Sequence, residues 1–314
     1  MSVKAMRYFG YRKEKDPSLN PYGTEDTAEP INYTPFDNEN LGLTIEPIEE
    51  KGMAGRVDAG VTEEGLGTVG GAMKLNGRVS NIKAFLDIAL GLDTGGVWTP
   101  PQEGVGLPQI YPYTFYFQKG LTGDSVFRNI GCAAQSVEFA IGTDAKMMEI
   151  NAEIIAKDQD LIADPVVAPP PSPMSSDKPF FWHEAVITIG TSTAENIEKF
   201  ACKITNSLEG VSAINSSKRI RTLKRGDGRR YFDVMATFDI EDTVEWLNFK
   251  DFIKQPLNIM FTKGATSFEI DMPLFVYRTF PLNAANAGRL SIGVAGRADF
   301  DEASGYAAEF TLVD

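Results

Sequence analysis

The residues that could do chemistry in this sequence are few and scattered. Gly65-Leu66-Gly67-Thr68-Val69-Gly70 spells GxGxxG, with Asp87 downstream. That string cradles a pyrophosphate when it follows a buried strand and opens a helix. Here Glu63 and Glu64 precede it and an alternating run follows, so it reads as a glycine-rich loop. Asp158, Asp160 and Asp164 are spaced like the start of a calcium loop, but Ala163 and Pro169 stand where an EF-hand needs Gly and Glu. These aspartates read as a solvated linker. His183 is the single histidine, and Cys132 and Cys202 are the only cysteines. Such scarcity excludes a multi-histidine or cysteine-rich metal site and a disulfide framework. No GxSxG string offers a serine nucleophile. The apolar stretches around each cysteine predict buried, inert thiols. In Glu49-Glu50 and Glu63-Glu64, adjacent carboxylates point opposite ways on an extended chain, which suits a solvated surface better than a glycosidase pair. No cofactor or metal is expected. Catalytic residues are likewise none.

The strongest charge feature is a basic loop. Lys218, Arg219, Arg221, Lys224, Arg225, Arg229 and Arg230 face only Asp227, a net +6, in a chain whose net charge is −13. The comparable stretch of the first half, Gly52 to Gly71, holds Arg56 against Asp58, Glu63 and Glu64, a net −2. The basic loop lacks the interleaved aromatics of single-strand binders. Besides a plain solvated hairpin, its opposite sign allows the two loops to meet between subunits. Contact between Lys218–Arg230 and the acidic Asp58, Glu63 and Glu64 is the resulting expectation.

The elements that must position these residues fall into two similar halves. Residues 158–179 contain six prolines, a density that favours an extended path without a packed core. Before this linker, Leu43 to Glu46 opens a strand and Ala72 to Ser80 alternates as another. Ile82, Phe85, Leu86 and Ala89 then recur at helical spacing, with Ser80 or Asn81 as N-cap and Gly91 as the stop. After it, Cys202 to Thr205 and Tyr231 to Ile240 repeat the strands, with Phe232 aligned on Met73 at a constant offset. Val244, Trp246, Leu247, Phe249 and Phe252 carry a second helix. Three strands follow in each half: Tyr113–Phe117, 124–141 and 148–154, against Leu257–Phe261, 266–282 and 290–296. The expected fold is mainly β: two tandem β-sandwich or barrel domains, each with one flanking α-helix. The domains are an N-terminal arm (1–40), domain 1 (41–157), the linker (158–179) and domain 2 (180–314). No run of apolar residues is long enough for a membrane span. Nor does the amino terminus read as a secretory signal, so synthesis in a cytosol is expected.

The order of these stretches resembles the tail tube protein family of long-tailed bacteriophages. The similarity rests on Tyr8-Phe9-Gly10-Tyr11-Arg12-Lys13-Glu14 with Pro21-Tyr22-Gly23-Thr24, on Gly71 to Leu90, and on Pro179-Phe180-Phe181 leading to Ala185–Gly190. Phe200 to Leu208 and Phe238 to Asp242 complete it. The resemblance implies a structural virion protein without enzymatic activity. It would self-assemble into stacked rings, three two-domain chains giving a pseudo-hexameric ring. The implied partners are further copies of itself, a tape-measure protein, and the tail terminator and distal tail proteins. DNA would be met only in transit through the lumen. The competing reading is a two-domain carbohydrate-binding module or hydrolase, with Trp98, Trp182 or Trp246 as a sugar platform.

Overall fold

A computed structural model describes residues 8–16, 18–49, 62–91, 94–100, 111–118, 125–163, 177–213, 218–225, 229–239, 243–281 and 291–314. The first half carries β1 (Phe9–Lys13), β2 (Asn32–Thr34), β3 (Asn38–Glu39), β4 (Gly42–Glu49), β5 (Thr62–Asn76) and α1 (Val79–Leu90). It continues with β6 (Val97–Trp98), β7 (Tyr113–Phe117), β8 (Ser125–Gly142), β9 (Glu149–Ala156) and β10 (Asp158–Ala163). The second half opens on a short 3-10 turn (Trp182–Glu184), then β11 (Ala185–Ile189), β12 (Ser192–Thr193), β13 (Ile197–Thr205), β14 (Leu208–Val211) and β15 (Thr222–Arg225). β16 (Tyr231–Asp239), α2 (Val244–Lys250), β17 (Gln255–Lys263), β18 (Thr266–Thr279), β19 (Ser291–Asp299) and β20 (Glu309–Val313) complete it. The molecule is mainly β, as its alternating runs predict.

The two halves pair their strands in the same order, all antiparallel. β3 and β4 lie beside β5, followed by β9, β8, β7 and β1; in the second half β13 lies beside β16, followed by β19, β18, β17 and β11. Even the irregularities recur. The β8 ladder shifts against β7 between Tyr113 and Phe115, and against β9 between Ala134 and Ser136. The β18 ladder shifts against β17 between Gln255 and Leu257, and against β19 between Tyr277 and Thr279. Bulges bend the strand that carries them, so β8 and β18 each turn from one sheet into another.

Several boundaries differ from the sequence reading. Within the expected arm 1–40, β1 pairs along β7, so this segment belongs to the first half's sheet just as β11 belongs to the second's. Within the expected linker 158–179, residues 158–163 form β10 on β8, because the prolines come only after them. Residues 164–176 lie outside the described part. The GxGxxG string is the first half of β5 rather than a loop. Its glycines allow close approach: a Cβ on Gly65 would sit 2.1 Å from the Glu46 carbonyl oxygen. The ladders also place Ala236, not Phe232, as the counterpart of Met73, since Met73 faces Ala152 and Ala236 faces Val294. Side chains alternate with period two, so an even slip keeps every residue on its face and the pattern cannot detect it.

One hydrophobic core runs through both halves. Phe139 of β8 lies 5.5 Å from Phe268 and 6.3 Å from Phe310, both in the second half. α1 is buried on most sides and begins at Val79, earlier than its sequence suggested. Neither Ser80 nor Asn81 caps it. The Ser80 N–H instead donates to Asp177 Oδ2 at 2.9 Å, a cap supplied from the far side of the proline-rich stretch. Phe9 is fully buried, 5.0 Å from both Phe115 and Phe117 and 6.5 Å from Phe85 of α1. Phe9→Ala should therefore cost about 3–5 kcal/mol, as buried Phe truncations do. A denaturant midpoint equal to that of the unaltered protein would show that β1 is dispensable to the core.

The bend of β8 is held by a buried carboxylate. Gly131 has φ +67°, and a Cβ there would lie 2.8 Å from both Lys157 and Tyr22 side-chain atoms. Its N–H donates to Glu14 Oε1 at 2.7 Å, Thr114 Oγ1 donates to the same oxygen at 2.8 Å, and the Tyr22 hydroxyl donates to the Gly131 carbonyl. Glu14 Oε2 is buried with no hydrogen-bond partner among the described residues. Burial raises the Glu14 pKa above its ordinary value, against the lowering effect of these donors and of Lys157. An acid with a raised folded-state pKa contributes stability below its unfolded value and loses it as pH rises through the folded one. Glu14→Gln should thus gain stability relative to the unaltered protein between pH 4 and pH 7. Thermal melts across that range would show the difference widening with pH; a constant difference would rule out Glu14 as the source.

Candidate assembly interface

The residues that sequence reading singled out converge on the joint between the two halves. Its frame is a shared sheet. The C-terminal part of β8 pairs with β13 over seven residues in register, from Ser136↔Thr205 to Gly142↔Lys199. β13 therefore adds to the edge of β8 beyond β7, and the sheet passes from one half into the other without a break. Residues buried on its inner face, Phe139, Ile141, Phe200 and Cys202, follow from alternation along both strands.

Beyond the last pair, the chain locks onto the first half's helix. Asn206 N–H donates to the Gln135 carbonyl at 2.8 Å. Its side-chain amide donates to the carbonyls of Ala89, near the end of α1, at 2.8 Å and of Ala134 at 3.0 Å. Arg230 Nε donates to Asn206 Oδ1 at 2.8 Å. Carbonyls in the last turn of a helix have no intrahelical donor, and here the second half supplies it. Beyond Asn206, hairpin β14–β15 lies over the β8 bend: Leu208, Ile220 and Leu223 pack with Tyr22 and Ala133.

Two of the basic residues, Lys218 and Arg219, pair with carboxylates of the first half of the same chain. Arg219 Nε donates to Asp158 Oδ1 at 2.6 Å, and Arg219 Nη1 and Lys218 Nζ reach Glu64 at 3.3 and 3.2 Å. The Gly67 N–H donates to the Lys218 carbonyl at 2.9 Å. Asp158 holds the Arg219 pKa above its ordinary value, and Lys218 with Arg219 holds that of Glu64 below its own. Glu63 is exposed on β5, and Arg221, Lys224 and Arg229 are exposed on the second half. Arg225 pairs its backbone with Leu208 in the hairpin, and Arg230 belongs to the helix lock above. Asp58 lies outside the described residues. Asn206 and Leu208 carried no sequence signal beyond a polar and an apolar residue after a strand.

The other candidates are absorbed structurally. Cys132 and Cys202 are fully buried, and burial raises the pKa of both thiols. His183 stacks on Phe181 at 5.8 Å. Asp160 pairs with Arg128 at 2.6 Å. Trp98 is buried, its indole N–H donating to Asp87 at 2.8 Å, and Trp246 packs against the core. Two of the three tryptophans proposed as a sugar platform are thus committed to packing. Glu49 lies on β4, and Glu50 is outside the described residues.

The Arg219 pairs hold the hairpin against β5, so Arg219→Glu should leave the fold intact and loosen this contact. Hydrogen exchange at the Gly67 amide should accelerate several-fold, while amides of the β8–β13 ladder stay as protected as before. Unchanged exchange at Gly67 would mean that the ion pairs contribute nothing, as many surface pairs do.

Comparison with known proteins agrees with this architecture. No curated protein matches the sequence. A family model described as phage tail tube protein matches residues 6–308, spanning β1 to the turn before β20. The chain belongs to the phage tail tube protein family.

Proposed function

We propose that copies of this chain close into rings and that the rings stack into the tube of a phage tail, the conduit for DNA. The observation that carries this reading is the β8–β13 joint. It shows how one repeat of this fold adds to the next, with the opening strand of the second completing the sheet of the first. The same step can continue between chains. The outer edge of β4, the opening strand of the first repeat, pairs with no strand among the described residues. Open edges invite pairing with another chain. A head-to-tail joint repeated between chains gives a ring when its rotation closes. Three chains supply six repeats, a trimer with pseudo-sixfold symmetry.

The sheet face turned away from the helices suits a channel wall. Its charges are matched across strands: Lys74 with Glu149 at 2.8 Å, Lys199 with Asp144 at 2.6 Å and Arg297 with Asp233 at 2.7 Å. Glu138 and Glu153 accept from Asn151 and Ser136. DNA binding needs unpaired cations to replace counterions, and Lys74, Lys199 and Arg297 of this face are each paired with a carboxylate. The chain then performs no reaction. Its other partners are a tape-measure protein inside the tube and terminator and distal proteins at its ends. Exposed Arg221, Lys224 and Arg229 are placed on the hairpin side, where they can meet a stacked ring. Negative-stain microscopy of the purified protein should show rings of threefold symmetry and tubes built from them. A species that stays monomeric at every concentration would reject the proposal.

A further inference from the structure

The two repeats differ at the positions that make the joint, and the difference identifies an apolar contact between chains. Thr205 faces Tyr231 as Thr44 faces Thr68, so the next residues, Asn206 and Ile45, are counterparts. Asn206 binds the end of α1 through hydrogen bonds, and Leu208 just beyond it is buried in the hairpin seat. In the first repeat their counterparts, Ile45 and Pro47, are apolar and exposed. Ile45 is 41% exposed. Leu43 faces Val69, Ile45 faces Gly67 and Pro47 faces Glu64, and alternation along β4 puts Leu43, Ile45 and Pro47 in one stripe on the helix-facing side of the sheet. Leu43 packs against the core, and the stripe runs outward from it.

A matching surface lies at the far end of the chain. α2 has no buried residue, whereas α1 is enclosed. At its C-terminal end Phe252 is 58% and Ile253 45% exposed, with Leu247 beside them on the helix at 41%. This patch continues into the edge where a further strand would join: Phe280, just after β18, stacks on Phe249 of α2 at 5.9 Å. Thr279 of β18 is the counterpart of Ser136, where the observed joint with β13 begins.

We infer that Ile45 and Pro47 of one copy of this chain seat against the exposed end of α2, at Leu247, Phe252 and Ile253, of a second copy. This rests on the ring reading above and specifies its inter-chain contact. The chemistry of the two joints then follows from their connectivity. The joint inside the chain forms between tethered partners at high effective concentration and suffices with hydrogen bonds and a small apolar seat. The joint between chains must offset the lost freedom of two bodies, and buried apolar area is the general means.

The test uses the full chain. The variant I45C/F252C, treated with a short bis-maleimide, should give covalent multimers ending at the size of one ring. An equimolar mixture of I45C and F252C should stop at dimers. The native Cys132 and Cys202 are fully buried and should stay unmodified. In parallel, Ile45→Lys and Phe252→Lys should keep the melting temperature of the monomer, since both side chains are exposed. Each should raise the concentration needed for assembly by about tenfold or more. Rings that form normally in both lysine variants, without bridging in I45C/F252C, would overturn this inference and leave ring assembly standing. Failure of the unaltered protein to assemble would instead reject the ring reading and this contact with it.

Discussion

The backbone edge of β8 is the constraint on which the rest depends. Each residue of a strand presents donors and acceptors that must find partners if buried. β8 is eighteen residues long and bends, so no single neighbour can cover either edge. On one side β9 and β10 divide the work, and on the other β7 and then β13 do. The last of these comes from the other repeat. The halves are therefore not two globules on a string, and the core passes between them through Phe139, Phe268 and Phe310.

The bend itself is a costly feature with local support. Gly131 takes a conformation closed to most side chains, and Glu14 is buried to hold its amide, with one oxygen left unpartnered. Burying a carboxyl costs free energy unless its bonds are met. The fold tolerates it at the point where one strand must serve two sheets. The second repeat bends β18 at equivalent bulges. Recurrence of so specific an irregularity is stronger support for duplication than the few shared residues are.

Much of the fold was legible because it depends on local pattern. Alternation marked the strands, the 3.6-residue period marked α1, and the order of elements exposed both the repeat and the family. The misreadings share one cause. GxGxxG looked like a loop because glycine is poor in strands, yet Gly65 and Gly67 admit the Glu46 carbonyl and the Arg219 side chain. The repeats were aligned with Phe232 on Met73 because period-two pattern is indifferent to an even slip. The α1 cap was sought beside the helix and came from Asp177. In each case the deciding contact lay far along the chain.

By itself the sequence determined the class: mainly β, duplicated, poor in residues for catalysis, and similar in order to a tube-forming family. Those properties are sums over local preferences and composition. Only the tertiary structure decided which surfaces meet. Arg219 of the basic hairpin pairs with Asp158 and Glu64 of its own chain, while Ile45, Pro47 and the end of α2 remain uncovered. Charge and hydropathy name what a surface can bind, but pairing requires position. Position here is set by a strand ladder joining residues far apart in the chain, from Ser136↔Thr205 to Gly142↔Lys199.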